Sequence, residues 1–326
     1  MPAALMSRAL PGEWLAAAAA AAGAIVLFTV PWMLPLAGSV ITFASPLPLL
    51  LAYGVRGRRA GRKGLILAAA AALLLAQVAA PPGGGYYLIY FLVMAGALGE
   101  MWSQGLPDRW AVGTAAVTAM AASVLVLLVG SIFYDVGPWQ LWKAQWQSEM
   151  AMVMEMYRSM DLEPDTLRQL EQGLAMAGRI ILRMAPGILA AVSLLVAWLN
   201  FLAARRISRR LGARETGSPM NLYRTPERLV WLLIAGGGIM ALGSGWLFWL
   251  GANLVLVMGV LYFFQGLAVV DFWLRRKNAP ALLRTAVYLM VALEIYVAAI
   301  LAVTGLFDMW LNLRRLEQAK PSGSEE

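Results

Sequence analysis

Asp135-Val-Gly-Pro-Trp-Gln-Leu-Trp-Lys-Ala-Gln-Trp-Gln-Ser-Glu-Met150 opens a stretch, reaching to about Gly178, in which the chain turns from lipid to water. Trp139, Trp142, Trp146, Met150, Val153, Tyr157 and Met160 recur at steps of three and four, which places them on one face of a helix. Lys143, Gln147, Glu155 and Arg158 fall opposite. An aromatic and methionine face beside a charged one suits a helix in the headgroup zone, or one that caps membrane helices from outside. The pattern stops at Asp161-Leu-Glu-Pro-Asp165, where Pro164 suits a first helical turn and Asp161 or Glu163 an N-cap. Leu167, Leu170, Leu174 and Ile181 then predict a second helix running into the next membrane span. Two readings of this hairpin stand: a shield over the bundle, or a gate that includes Trp139, Trp142 and Trp146.

Outside that stretch the chain consists mostly of long apolar runs. The 326 residues are 61% hydrophobic and 13% charged, with mean hydropathy +0.69, against roughly 25% charged in soluble domains. The composition predicts an all-α polytopic bundle of about eight or nine spans. An N-terminal half (1–134, about five spans), the amphipathic segment (135–178) and a C-terminal half (179–326, about four spans with a short polar tail) follow from the apolar runs. The chain has no Cys and no His, which removes disulfides, thiolate and imidazole metal sites and histidine-dependent triads. Neither a cofactor nor an enzymatic activity is expected. The net charge of +8 is held in short basic segments beside apolar runs, a pattern of membrane topology and not of nucleic-acid binding.

The run from Trp14 to Val55 exceeds one crossing of roughly 20 residues and reads as two spans, broken between Pro31 and Pro35. Its Ala16–Ala24 segment repeats the small-xxx-small spacing that lets helices approach closely. Five bases and no acid between Arg56 and Lys63 place that loop, and with it the N-terminus, in the cytoplasm. Further spans are expected at 65–80, 86–102, 110–134, 179–204, 229–247, 248–274 and 282–307. The hairpin, with seven acids against three bases, falls outside. Arg205, Arg206, Arg209 and Arg210 return to the cytoplasmic face, where anionic lipid is the expected partner. Tyr86, Tyr87 and Tyr90 read as an interfacial aromatic belt, and Asp308 as an interface anchor.

Several short patterns resemble the YybS-like predicted membrane proteins of bacteria, a family of unknown function. They are Pro46-Leu-Pro48 with Gly54 and the basic loop, Asn200, Thr225-Pro-Glu-Arg-Leu-Val-Trp231, Asn253, Tyr262-Phe-Phe-Gln-Gly266 and Gly305-Leu-Phe-Asp-Met-Trp-Leu-Asn-Leu-Arg-Arg315. The resemblance implies a cytoplasmic-membrane protein distantly similar to the substrate-binding subunits of energy-coupling-factor transporters, whose early small-residue helix meets a partner.

Glu294 stands about a dozen residues into the last apolar run, which places it near mid-bilayer, where a charged carboxylate costs several kcal/mol. It reads as a substrate or ion contact, or as a protonated hydrogen-bonding group. Gln265 and Asn253 share a helical face and either line the same cavity or bond neighbouring helices. Two functions follow: a small-molecule transporter or its substrate-binding component, and a non-catalytic assembly or regulatory protein that docks partner proteins.

Overall fold

Apolar runs of this length must satisfy their backbone hydrogen bonds internally, and the helix is the single-segment solution. The computed structural model describes residues 3–33, 40–78, 84–160, 162–213 and 223–314. Among them there is no strand. The helices are α1 (Ala3–Met33), α2 (Pro46–Arg56), α3 (Arg58–Val78), α4 (Gly84–Ser103), α5 (Asp108–Tyr134), α6 (Pro138–Arg158), α7 (Pro164–Arg210), α8 (Val230–Leu242), α9 (Trp246–Arg276), α10 (Ala281–Leu293) and α11 (Ile295–Leu311).

Four helical segments are long and apolar enough to cross a membrane: Gly12–Val30 of α1, then α5, α7 and α9. The pair α10 and α11 makes a fifth if it counts as one span, although it bends by 103° at its break. The expected eight or nine are therefore not met by long helices among the described residues. Val40–Arg56 and Leu88–Ser103 are shorter apolar helices, and α8 has 13 residues. A helix of that length extends about 20 Å against a hydrocarbon core of about 30 Å. The break inside residues 34–39 and the turn at 79–83 lie outside the described residues.

The chain forms two compact units, and the division differs from the expected halves because it runs through α7. The first holds Met1–Arg183 and Val192–Gly217; the second holds Met184–Ala191 and Ser218–Glu326. In the first, an unusually small-residue core of Ala20, Ala21, Ala24, Ala52, Ala68 and Ala95 closes around Leu49. The amphipathic reading of α6 holds. Trp142, Trp146, Met150, Val153 and Tyr157 are half-buried, while Lys143, Gln147, Glu155 and Arg158 are exposed; Trp139 and Met160, at the ends, are exposed as well. Pro164 opens α7 after Glu163, and Arg158 reaches Glu171 at 3.5 Å. Asp161 lies outside the described residues.

In the second unit α9 packs on both α8 and α11 at glycines. A Cβ on Gly266 would collide with the Leu301 backbone, and one on Gly305 with the backbone of Tyr262 and Gly266. Helix axes this close gain dispersion contacts that Leu-sized residues would prevent. Gly305→Leu is therefore expected to lower stability by ~3 kcal/mol or more, as over-packing does. Gly259→Ala, on α9 with nothing within 4 Å, should be neutral or stabilising by about 0.5–1 kcal/mol. Thermal unfolding of the detergent-solubilised protein, read by tryptophan fluorescence, compares the two.

Candidate functional site

The second unit gathers Thr225, Gln265, Asp308 and Arg314 into one buried cluster, each at most 3% exposed. Gly266 and Gly305 bring α9 and α11 close enough for Gln265 and Asp308 to meet. Gln265 Nε2 donates to Asp308 Oδ2 at 3.1 Å, and Gln265 Oε1 accepts the Thr225 backbone N–H at 3.0 Å. Arg314 donates to the same Oδ2 from its terminal nitrogen at 2.7 Å and from Nε at 3.2 Å. Asn312 takes the left-handed conformation at φ 42°, which turns the chain so that Arg314 folds back six residues onto Asp308. The result ties four segments: the approach to α8, α9, α11 and the residues after α11. Asp308 Oδ1 and the Tyr262 hydroxyl are buried with no hydrogen-bond partner among the described residues.

Asp308 is thus not the interfacial anchor expected from its neighbours Trp310 and Arg314. Its sequence surroundings look like a membrane edge, but the fold places it in a protein interior. Gln265 is in the cluster; Asn253 is not. Asn253 Oδ1 accepts the Gly187 N–H at 2.6 Å and its Nδ2 donates to Trp249 O at 2.7 Å. Gly187 follows Pro186, whose ring disturbs the helical ladder of α7. A Cβ at Gly187 would fall 3.0 Å from Asn253 Cα, so glycine is what permits the approach. The shared face of Gln265 and Asn253 therefore carries two separate hydrogen-bonded contacts.

Glu294 stands apart from both. The mid-bilayer position rested on an unbroken helix, and the chain breaks at this residue, which takes φ −112°, ψ 109° between α10 and α11. The side chain is exposed. Its backbone is satisfied on both sides, Glu294 N to Met290 O at 3.0 Å and Ala298 N to Glu294 O at 3.2 Å. Neither of two open apolar grooves in this unit, one along Ala299–Leu313 and one between the end of α9 and α10, is lined by Glu294, Gln265 or Asn253.

The first unit carries a second charged site. Glu100, near the end of α4, accepts from the Tyr53 hydroxyl at 3.0 Å, from Arg58 at 2.7 Å and from Arg62 at 2.7 and 3.0 Å. The Tyr53 ring lies where Cβ atoms of Gly61 and Gly99 would be. Asp108 pairs with Arg205, whose guanidinium also lies 5.5 Å from the Phe201 ring. Arg205 is 6% exposed and so differs from the lipid contact expected of it; Arg206, Arg209 and Arg210 remain exposed. The Tyr90 hydroxyl donates to Ser193 Oγ at 2.8 Å inside the bundle, so Tyr90 is no part of an interfacial belt. Of the three tryptophans expected at a gate, Trp139 and Trp142 lie 5.2 Å apart between ring centroids with their planes tilted by 35°.

A family model described as a predicted membrane protein, DUF2232, matches residues 22–309. The chain belongs to this family. No curated protein and no solved structure matches it. The DUF2232 assignment agrees with the apolar helices above. The match spans Gln265, Asp308 and Glu100 but stops before Arg314.

Asp308→Asn leaves the Arg314 charge buried without its carboxylate, so a loss of roughly 3–5 kcal/mol is expected. Glu294→Gln, at an exposed break, should change stability by less than about 0.5 kcal/mol. Denaturant unfolding in detergent separates these outcomes, and equal effects would refute the assignment of the cluster as the unit's lock.

Proposed function

We propose that this DUF2232 protein is the non-catalytic membrane subunit of a solute-uptake assembly, capturing a small molecule and docking a partner through α1. One observation carries the docking part of the reading. Helix α1 buries Ala17, Ala20, Ala21 and Ala24 in its own bundle and presents a second small face, Ala18, Ala19 and Ala22, outward. Small residues on a bundle's outer surface favour close contact with another membrane helix. The Glu13–Lys63 pair at 2.9 Å and Lys63 over the Trp14 ring at 4.7 Å fix how α1 is turned. Resemblance to substrate-binding transporter subunits, which use an early small-residue helix in this way, supports the same reading.

A second reading, docking without solute, is favoured by the bonds that occupy Gln265 and Asn253. Native mass spectrometry of gently extracted protein distinguishes them. Ala18→Leu with Ala22→Leu is expected to abolish a stoichiometric protein partner while the chain stays folded. A small-molecule adduct supports uptake; a partner accompanied by lipids alone supports docking. Retention of the partner by the double variant overturns the α1 surface.

The N-terminus, the loop at 56–63, the turn at 103–108 and the end of α7 belong on the cytoplasmic side of the bacterial inner membrane. Support comes from the basic flanks and from contacts among these segments: Glu13 with Lys63, Glu100 with Arg58 and Arg62, and Asp108 with Arg205. Since the chain has no Cys, single substitutions report topology directly. In spheroplasts, Ser148→Cys should react with a membrane-impermeant maleimide, and Ser103→Cys only after permeabilisation.

A further inference from the structure

The turn joining α9 to α10 builds a groove of about 440 Å³, within the size range of ligand sites, that none of the contacts above uses. Val269, Trp273, Pro280, Leu283 and Val287 supply apolar walls, and Lys277 is the charged residue of its lining. Asn278, left-handed at φ 49°, turns the chain so that Pro280 and Leu283 face the last turns of α9.

Arg275 and Arg276, beside Lys277 in the chain, are already engaged. Arg275 donates to Asp271 at 2.7 Å, and Tyr288 donates to the other oxygen of that carboxylate at 3.0 Å. Arg276 lies 5.4 Å from the Trp273 ring. Lys277 is exposed and makes no ion pair among the described residues. Asp271 is therefore not competing for it, and the rim of the groove is cationic while its walls are hydrocarbon-like.

The geometry points to a binding site for an anionic phospholipid, with an acyl chain along Val269, Trp273 and Leu283 and the headgroup phosphate at Lys277. An ammonium at the rim favours a net negative headgroup over a zwitterionic one, and the apolar slot distinguishes a seated lipid from one held by surface charge alone. This site is independent of docking through α1.

The test is native mass spectrometry of the full-length protein titrated with phosphatidylglycerol and, separately, phosphatidylcholine of the same acyl chains. Preferential retention of one phosphatidylglycerol is expected. Lys277→Gln should reduce that retention about fivefold, the effect of one basic residue at an anionic surface, and leave phosphatidylcholine unchanged. Leu283→Trp, which fills the slot, should reduce both. Both positions are exposed, and an unchanged unfolding temperature confirms that each variant folds. Equal retention of the two lipids by the parent, or no loss in Lys277→Gln, overturns the proposal; either result leaves the partner experiment on α1 standing.

Discussion

A backbone group that leaves a helix inside an apolar interior has no water to bond, so an irregularity without a backbone partner needs one from a side chain. Three side-chain amides supply it. Asn200 donates to Phe43 O at 2.8 Å, in the turn before α2. Asn253 accepts the N–H beside Pro186, and Gln265 accepts the N–H of Thr225 ahead of α8. Each contact joins residues at least 40 positions apart in the chain. The irregular segments, and the helices that follow them, depend on these bonds for their place.

Ion pairs add a second level of constraint with two different characters. Asp308 and Arg314 are fully enclosed, so their pairing offsets a desolvation cost that neither bears alone. Glu100 is at the rim, where Arg58 and Arg62 remain about half exposed and solvent screens them. The rim cluster owes its geometry more to packing, because Tyr53 fits between Gly61 and Gly99 and delivers its hydroxyl to the carboxylate. Arg206, Arg209 and Arg210 are exposed at this end.

This arrangement bears on function through what is occupied and what is presented. Of the polar side chains that suggest a solute cavity in the linear sequence, Gln265 and Asn253 are bonded to the protein itself and Glu294 is exposed. What remains presented is a small-residue face on α1, an aromatic end on α6 and a cation-rimmed apolar groove beside α10. Small, aromatic and cation-rimmed apolar surfaces suit contact with helices and lipids, the surroundings of a membrane protein.

Composition and periodicity by themselves determined the all-α membrane class, the amphipathic face of α6 and the start of α7 at Pro164. Those features follow from local spacing, which repeats every turn of a helix. Tertiary structure alone decided that the last apolar run breaks at Glu294, that Asp308 is enclosed and Arg205 withdrawn from the surface, and that Gln265 and Asn253 serve different contacts. No local signal marks these. Whether a charged residue near a helix end faces lipid, water or a partner depends on which helix packs beside it, and at Asp308 the close approach of α9 and α11 at Gly266 and Gly305 decides it.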